Sequence, residues 1–353
     1  MSEKIKVGVL AATGSVGQRF VQLLDNHPLF EVTALTGSDR GLGKPYGEVC
    51  HWLLPGDMPA WARNMPVLPT TPDAVQAPLV FSGLPADIAK EAEPLFARAG
   101  TAVCTNASAY RKETDVPILL PEVNPDHIRV IPDQQKHHAW SGWIATNPNC
   151  TSTGMTVALK ALKDAFGLKR VFAVSLQALS GAGYPGVPSM DIIDNVIPYI
   201  GGSEEEKVEW EPRKMLGSVQ GGQIALADFA VSAHTNRVNV SDGHTVCLTI
   251  EFEHRATPAQ VTEALRDYQA PSQSRDLPIA PRPPIVVRYE ENRPQPRFDR
   301  MMGGGMATVV GRIRSDSIFD VRLVVLSHNT IRGAAGGSLY NAELLASQGY
   351  LKA

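Results

Sequence analysis

Short apolar segments alternate with helical patterns along the first 150 residues of this 353-residue chain, and this alternation limits the folds that it can adopt. Residues 4–10, 31–36, 78–82 and 102–104 each form a short apolar run that predicts a strand. The segments between them, such as 86–99, show the 3.6-residue period of amphipathic helices. Strands that alternate with helices are typical of a doubly wound parallel sheet, so the sequence predicts an α/β architecture.

The pattern changes after residue 170, where longer strands are predicted at 171–178 and 245–252. The second of these alternates apolar and polar residues, as a half-buried antiparallel strand does. The segment 270–297 is rich in proline, and we predict an extended arm or long loop that packs on the protein. A strand at 320–326 and a final helix from about 330 to 345 close the chain. This helix is expected to return to the first domain.

The composition excludes several classes of protein. Hydrophobic residues make up 43% and the net charge is −3, so a broad cationic surface for nucleic acid is not expected. We see no apolar run that is long enough for a signal peptide or a membrane span. The four cysteines lack CxxC spacing, which argues against a metal site or a disulfide framework and fits a reducing compartment. We therefore expect a cytoplasmic protein without metal, nucleic acid or membrane partners, in which Cys104 and Cys247 are core residues.

Cys150 stands where an apolar strand-like segment, 143–145, ends and a helix is predicted to begin. The helix shows apolar residues at every third or fourth position, and Gly167 is its predicted C-terminal stop. A thiol at a helix N-terminus feels the positive end of the helix dipole, which favours the thiolate. Free N–H groups there can also hold an oxyanion. These features indicate an acylating nucleophile, with a buried core cysteine as the alternative.

A turn of small residues, Ala11-Ala12-Thr13-Gly14-Ser15-Val16-Gly17, follows the first predicted strand and precedes a helix. Such a turn lets the backbone approach a pyrophosphate at the helix N-terminus, so Thr13, Gly14, Ser15 and Val16 are candidate cofactor-binding residues. An ordinary tight turn is the alternative. Ala11 replaces the usual first glycine, so its backbone is expected not to use conformations that only glycine can adopt.

The end of the second predicted strand indicates which dinucleotide is bound. Ser38 and Arg40 would suit a 2′-phosphate, which points to NADP, whereas a carboxylate such as Asp39 would suit the ribose of NAD. The sequence therefore favours NADP over NAD.

With these features and further motifs, the chain resembles the aspartate-semialdehyde dehydrogenase family, and in particular its branch typical of archaea and fungi. The motifs extend over nearly the whole chain. They are the turn at 11–17, Ser38-Asp39-Arg40, Asn147-Pro148-Asn149-Cys150-Thr151, Gln177 within 175–183, Glu204-Glu205-Glu206-Lys207, Glu211-Pro212-Arg213-Lys214, Asn236-Arg237-Val238, Asp242-Gly243-His244, 293–297 and 328–337.

The resemblance implies a reaction and its catalytic residues. The reaction is the NADPH-dependent reductive dephosphorylation of β-aspartyl phosphate to aspartate semialdehyde, on the route to lysine, threonine and methionine. Cys150 would form a thioacyl intermediate, His244 would be the general acid/base, and Gln177 would orient the intermediate. His234, close by in the sequence, is the alternative histidine, with a surface or packing role expected for it.

The resemblance also implies how the ligands are held. Arg237 would bind the substrate α-carboxylate in a bidentate pair, and Glu211 would meet its ammonium. Arg111 and Lys214 would hold the phosphate, and Asn149 belongs to the same substrate-binding set. Asn329, with Thr330 beside it, would lie near the nicotinamide.

An alternative remains open for helix 204–214. Glu211 and Lys214 could belong to a solvated charged face, and Glu204 and Lys207 form a rival pair of the same spacing.

Together these features predict two domains. Residues 1–149 and 330–353 would form a Rossmann-type doubly wound parallel sheet domain that binds NADP. Residues 150–329 would form an α+β catalytic and dimerisation domain with a mostly antiparallel or mixed sheet. The resemblance implies a homodimer or homotetramer.

Two other functions remain alternatives at this point. A malonyl-CoA or other acyl-CoA reductase would share the fold and the Cys–His pair, although malonate lacks the ammonium that Glu211 would meet. A non-catalytic NADP-binding redox sensor is the second alternative.

Overall fold

The computed structural model describes residues 3–351 of the chain, and residues 1, 2, 352 and 353 of the predicted first domain lie outside them. Two six-stranded sheets with helices packed around them make up the fold. Within 3–351, no helix combines the length and the apolar character that crossing a membrane requires. The α-helices are α1 Ser15–Leu23, α2 Tyr46–Val49, α3 Ala60–Arg63, α4 Pro72–Val75, α5 Ala86–Arg98, α6 Ile131–His138, α7 Cys150–Phe166, α8 Ser189–Ile192, α9 Glu204–Met215, α10 Pro258–Arg266, α11 Pro296–Asp299 and α12 Gly336–Ser347.

The first sheet is parallel throughout, with the strand order β3-β2-β1-β4-β5-β6. The predicted doubly wound α/β sheet is confirmed. The strand β3 was not predicted, because two residues show no periodicity. The strands are β1 Ile5–Leu10, β2 Phe30–Thr36, β3 Val67–Leu68, β4 Leu79–Ser82, β5 Ala102–Thr105 and β6 Trp143–Thr146.

The second sheet is mixed, with the order β10-β7-β11-β14-β13-β12, as predicted for the second domain. Its central strands are antiparallel, while β10 pairs parallel with β7 and β12 parallel with β13. Its strands are β7 Arg170–Gln177, β10 Ala230–Arg237, β11 His244–Glu251, β12 Ile285–Val287, β13 Thr308–Ser315 and β14 Val321–Ser327, and a separate hairpin comprises β8 Ser218–Gln220 and β9 Gln223–Ala225.

Two expectations for this region need correction. The proline-rich segment 270–297 is more than an arm or loop, because its residues 285–287 form the edge strand β12, with Ile285 buried. Cys104 is buried in β5 as expected, but Cys247 is exposed on β11. The alternation of β11 places Val246 and Leu248 in the core, and Cys247 therefore points to the opposite face.

Helix α7 links the two sheets and carries the predicted nucleophile at its first residue. It is buried over most of its length against the second sheet, where Leu159 and Leu162 join the core. The helix ends at Phe166, and Gly167 follows with φ +68°, as the sequence predicts.

The C-terminal helix α12 follows a π-helical turn, Ile331–Ala335. Leu339, Ala342 and Leu345 of α12 belong to the core cluster of the first sheet. The chain thus returns to this sheet after β14, as expected. The boundaries drawn for the two domains remain a prediction.

Arg332 in the π-helical turn forms a buried ion pair that ties this turn to the loop before α6. Its guanidinium donates two hydrogen bonds to the Glu122 carboxylate, at 2.9 and 2.6 Å, and both side chains are at most 1% exposed. Arg332→Met leaves the carboxylate buried and unpaired, so we expect a loss of about 3–5 kcal/mol in the free energy of unfolding. Unfolding in guanidinium chloride, followed by circular dichroism, measures this loss.

The matched control is Arg322→Met, because Arg322 is a half-exposed arginine of β14. We expect this control to change the free energy of unfolding by less than about 0.5 kcal/mol. Equal stability of the Arg332→Met protein and the wild type would contradict the structural role of the pair.

Candidate active site

A cleft of about 360 Å³ opens between the two sheets, where the carboxyl ends of several strands meet. Its walls include the turn after β1, the loop 106–108 after β5, the start of α7 and the turn 180–183 after β7. Among the predicted site residues, the cleft is lined by Ser15, Val16, Arg111, Asn149, Cys150, Asn329 and Thr330. The cofactor turn and the nucleophile therefore face one cavity.

Cys150 and His244 form the centre of this site. The Cys150 Sγ lies 3.1 Å from His244 Nε2, although the residues are 94 positions apart in the chain. The backbone N–H of Ala178 donates to Nδ1 of the same ring at 3.0 Å. Because Nδ1 accepts this bond, the neutral ring carries its proton on Nε2, the nitrogen that faces the sulfur. The Ala178 contact must open if the imidazole takes up the thiol proton.

Burial determines the protonation of this pair in the free protein. Burial first, and the charge of Glu204 second, raise the pKa of the Cys150 thiol to about 12, despite opposing contributions from Arg111 and Arg237. Burial, Arg237 and His328 lower the pKa of His244 to about 3. The expected thiolate is therefore not the resting form, because desolvation outweighs the helix N-terminus. At neutral pH both partners are uncharged.

Arg237 lies at the end of β10, next to the Cys–His pair, and is 5% exposed. Its Nη1 donates to the Ala178 carbonyl at 2.7 Å, and its remaining N–H groups are available to an anion. A Cβ atom on Gly181 would lie 2.9 Å from Arg237 Nη1 and 3.0 Å from His244 Cε1. The absence of a side chain at Gly181 thus lets both groups approach the cleft, a role that the sequence did not reveal.

We expect Gly181→Ala to lower kcat/KM by about 10²-fold, because its methyl group displaces Arg237 or His244 by a fraction of an ångström to one ångström. Steady-state kinetics measure this change. Gly41→Ala is the matched control, since a Cβ there would make ordinary contacts of 3.4 Å or more with Val49. Undiminished kcat/KM in Gly181→Ala would show that the close approach is not required.

Asn149 acts as the N-cap of α7. Its Oδ1 accepts from the N–H groups of Thr151 and Ser152 at 2.9 and 3.2 Å, and its Nδ2 donates to Glu204 at 2.9 Å. Two of the N–H groups that the sequence assigned to an oxyanion are therefore already bonded. The cap stabilises the helix by about 1 kcal/mol and fixes the position of Cys150.

The predicted phosphate and ammonium ligands on α9 do not face the cleft. Lys214 is 2% exposed, and its Nζ donates to the carbonyls of Arg111, Glu113 and Val116. All three of its N–H donors are thus bonded, and burial lowers its pKa to about 8. Glu211 is fully buried. Neither side chain is among those that line the cleft.

The rival pair on the same helix, Glu204 and Lys207, lies closer to the cleft. Lys207 lines the cleft and is partly exposed. Glu204 bonds the side chains of Asn149 and Gln177, at 2.9 and 3.0 Å. The burial of Glu211 and Lys214 also excludes the solvated charged face that the sequence left open for them.

The turn after β1 has the features of an anion site. Helix α1 begins at Ser15 without a side-chain cap, so its first N–H groups remain available. A Cβ on Gly17 would lie 2.2 Å from the Ala11 carbonyl oxygen, which explains the glycine there. Ala11 itself has φ +57°, a left-handed conformation that is uncommon but accessible to residues other than glycine. Its carbonyl accepts from Gly14 N–H at 3.1 Å and closes the turn.

The remaining cofactor candidates lie on two sides of this turn. Ser38 and Arg40 are exposed at the end of β2. Asn329 is nearly buried in the cleft wall, where its Nδ2 donates to Ser180 Oγ at 2.8 Å and its Oδ1 accepts from Gly243 N–H at 2.8 Å. Asn329 therefore joins the turn after β7 to the residue that precedes His244.

Residues 6–131 match the family model for the NAD binding domain of semialdehyde dehydrogenase, and residues 159–332 match the model for its dimerisation domain.

Curated relatives match over nearly their full length. The aspartate-semialdehyde dehydrogenase of Methanothermobacter thermautotrophicus is 51% identical, over 97% of this chain and 99% of its own. The enzyme of Schizosaccharomyces pombe is 47% identical, over 98% of this chain and 99% of its own. A crystal structure of the Candida albicans enzyme with NADP superimposes with a TM-score of 0.90 at 41% identity, covering 99% of this chain and 100% of the other.

Proposed function

Because this chain belongs to the aspartate-semialdehyde dehydrogenase family, we propose that it catalyses the NADPH-dependent reductive dephosphorylation of β-aspartyl phosphate to aspartate semialdehyde. This reaction would serve lysine, threonine and methionine biosynthesis. The observation that carries the proposal is the 3.1 Å contact between Cys150 Sγ and His244 Nε2, beside a turn suited to a dinucleotide.

The reaction divides into two half-reactions. In the first, the Cys150 sulfur attacks the acyl carbon, a C–S bond forms, and the C–O bond to phosphate breaks. A thioester remains, which accepts hydride more readily than a carboxylate does. In the second, bound NADPH supplies a hydride to the thioester carbon, and the C–S bond breaks to release the aldehyde. His244 would accept the thiol proton at Nε2 once its own ring proton has moved to Nδ1, which breaks the Ala178 contact. It would return the proton to the sulfur when the C–S bond breaks, and Gln177 would orient the acyl group.

The cofactor would lie along the uncapped start of α1. The N–H groups of Thr13, Ser15 and Val16 would receive the pyrophosphate, with Gly14 shaping the turn between them. Ser38 and Arg40 would receive the 2′-phosphate of NADP. Asn329 and Thr330 would contact the nicotinamide end, since both line the cleft beside Cys150. The crystal structure of the Candida albicans relative with NADP supports this choice of cofactor.

For the substrate, we propose that Arg237 binds the α-carboxylate and that Arg111 binds the phosphate. Lys207 replaces Lys214 as the second phosphate ligand, because it faces the cleft. Glu204 replaces Glu211 as the partner of the ammonium, because it lies next to the Cys150 helix and is partly exposed.

A homodimer or homotetramer would assemble through the outer face of the second sheet. Leu176 is 36% exposed there and Cys247 is also exposed, while the opposite face forms the core. The match of residues 159–332 to a dimerisation domain supports this assignment.

The assay that tests this function runs in reverse, with aspartate semialdehyde, NADP and inorganic phosphate. We expect NADPH formation that depends on phosphate. Turnover of malonyl-CoA with NADPH, without turnover of aspartyl phosphate, would instead establish an acyl-CoA reductase. Tight NADP binding without either reaction would favour a redox sensor.

A further inference from the structure

Helix α9 carries a row of four ionisable residues on one side, spaced three or four positions apart: Glu204, Lys207, Glu211 and Lys214. The first two are partly exposed, whereas Glu211 is 0% and Lys214 2% exposed. A charged side chain that is removed from water destabilises the folded protein unless it has a bonding partner. The hydrogen-bond partners of Glu211 therefore indicate its role.

The two carboxylate oxygens of Glu211 contact two different parts of the site. Its Oε1 accepts from Arg111 Nη1 at 2.8 Å, and its Oε2 accepts from the backbone N–H of Asn149 at 2.6 Å. Arg111 lines the cleft, and Asn149 caps the helix that begins with Cys150. A single carboxylate thus connects a cationic group of the cleft to the backbone next to the nucleophile.

The guanidinium of Arg111 is held on two sides. Its Nη2 donates to the Asn106 carbonyl at 2.7 Å, while its Nε is buried and has no hydrogen-bond partner within residues 3–351. Because Nη1 and Nη2 are bonded to different partners, the plane of the guanidinium is fixed.

Lys214 supports the same segment from behind. Its Nζ bonds to three carbonyls of residues 111–116, so the backbone that carries Arg111 is also fixed to α9. Together, Glu211 and Lys214 leave the guanidinium little freedom to move relative to α7.

We infer that Glu211 is a positioning residue that sets the place of the Arg111 guanidinium relative to the Cys150 sulfur and does not touch the substrate. This inference rests on the proposed function, in which Arg111 binds the phosphate of the acyl phosphate. Glu211 thereby fixes the distance between the leaving group and the nucleophile. A misplacement of about 1 Å in such a pair costs about 10²-fold in rate.

The test is Glu211→Gln, assayed in the phosphate-dependent reverse reaction. The amide cannot accept from both Arg111 and Asn149, because one of its two ends is a donor. We expect the KM for inorganic phosphate to rise by about 10- to 100-fold and kcat to fall, with the KM for aspartate semialdehyde changed less than about twofold. Glu206→Gln, an exposed neighbour on α9, is the control with wild-type constants.

Arg111→Ala provides a second readout. If Glu211 acts through Arg111, adding Glu211→Gln to Arg111→Ala raises the phosphate KM less than twofold further. If Glu211→Gln does not fold, a second comparison replaces it. The double variant Arg111→Met with Glu211→Leu removes both buried charges, and we expect its KM for phosphate to equal that of Arg111→Met alone.

Three results would overturn the inference. A selective rise in the KM for aspartate semialdehyde would make Glu211 a substrate ligand. An unchanged phosphate KM in Glu211→Gln, or full additivity with the Arg111 variant, would exclude positioning through Arg111. A wild-type protein without phosphate-dependent turnover would refute the proposed function, and the inference with it.

Discussion

Cys150→Ser is expected to lower phosphate-dependent NADPH formation by about 10⁴-fold or more, because a serine hydroxyl does not replace the thiol as an acyl acceptor in this site. The hydroxyl preserves the size of the side chain and the start of α7. NADP binding, measured by titration calorimetry, should remain within about twofold of the wild type. A stopped assay for NADPH with long incubation measures the residual rate.

Cys247→Ser is the matched control. Cys247 is also a free cysteine, but it lies on the outer face of β11, away from the cleft, and serine keeps its size at the proposed subunit interface. We expect the wild-type rate in this variant. A Cys150→Ser protein that turns over at the wild-type rate would remove the sulfur from the mechanism.

His244→Asn has the second-largest expected effect, a decrease in kcat of about 10²- to 10⁴-fold, which is typical of the loss of a general acid/base. The asparagine can still contact Ala178 N–H, so the pocket should keep its shape. His234→Asn is the control, because His234 lies exposed on β10 and packs against Phe172. An undiminished kcat in His244→Asn would exclude the imidazole from proton transfer.

The pH dependence tests the same residue. The pKa of His244 is lowered to about 3, so the imidazole stays neutral as the pH falls from about 8 to about 5. We therefore expect the wild-type kcat/KM to stay level through the ordinary histidine pKa of about 6.5. The result to look for is a decrease near this pH in the wild type that is absent from His244→Asn. Such a decrease would mean that the ring charges in the free enzyme.

The first sheet could be predicted from the sequence because several of its strands, β4, β5 and β6, are buried on both faces and form continuous apolar runs. The convergence of the catalytic residues could not be predicted in this way. It arises from long-range strand pairing, in which Arg237 aligns with Gln177 across β10 and β7, and β11 begins at His244 beside them. No local pattern encodes these registers.

The choice between the two pairs on α9 is a separate question. Glu204 and Lys207 have the same spacing as Glu211 and Lys214, so helical periodicity places both pairs on one side of the helix. Only the depth of each residue separates them, and depth depends on how α9 packs against the segment 106–116. For the same reason, the helix N-terminus alone did not predict the raised pKa of the Cys150 thiol, which burial determines.

The central claim is that Cys150 carries the acyl group between the two half-reactions. It is tested most directly by mixing the protein with aspartate semialdehyde and NADP in the absence of phosphate, quenching in acid, and locating the adduct by peptide mass spectrometry. We expect an aspartyl thioester on the peptide that contains Cys150, and its loss when phosphate is added before the quench. Full phosphate-dependent turnover without any adduct on Cys150, or with the adduct on another residue, would contradict the claim.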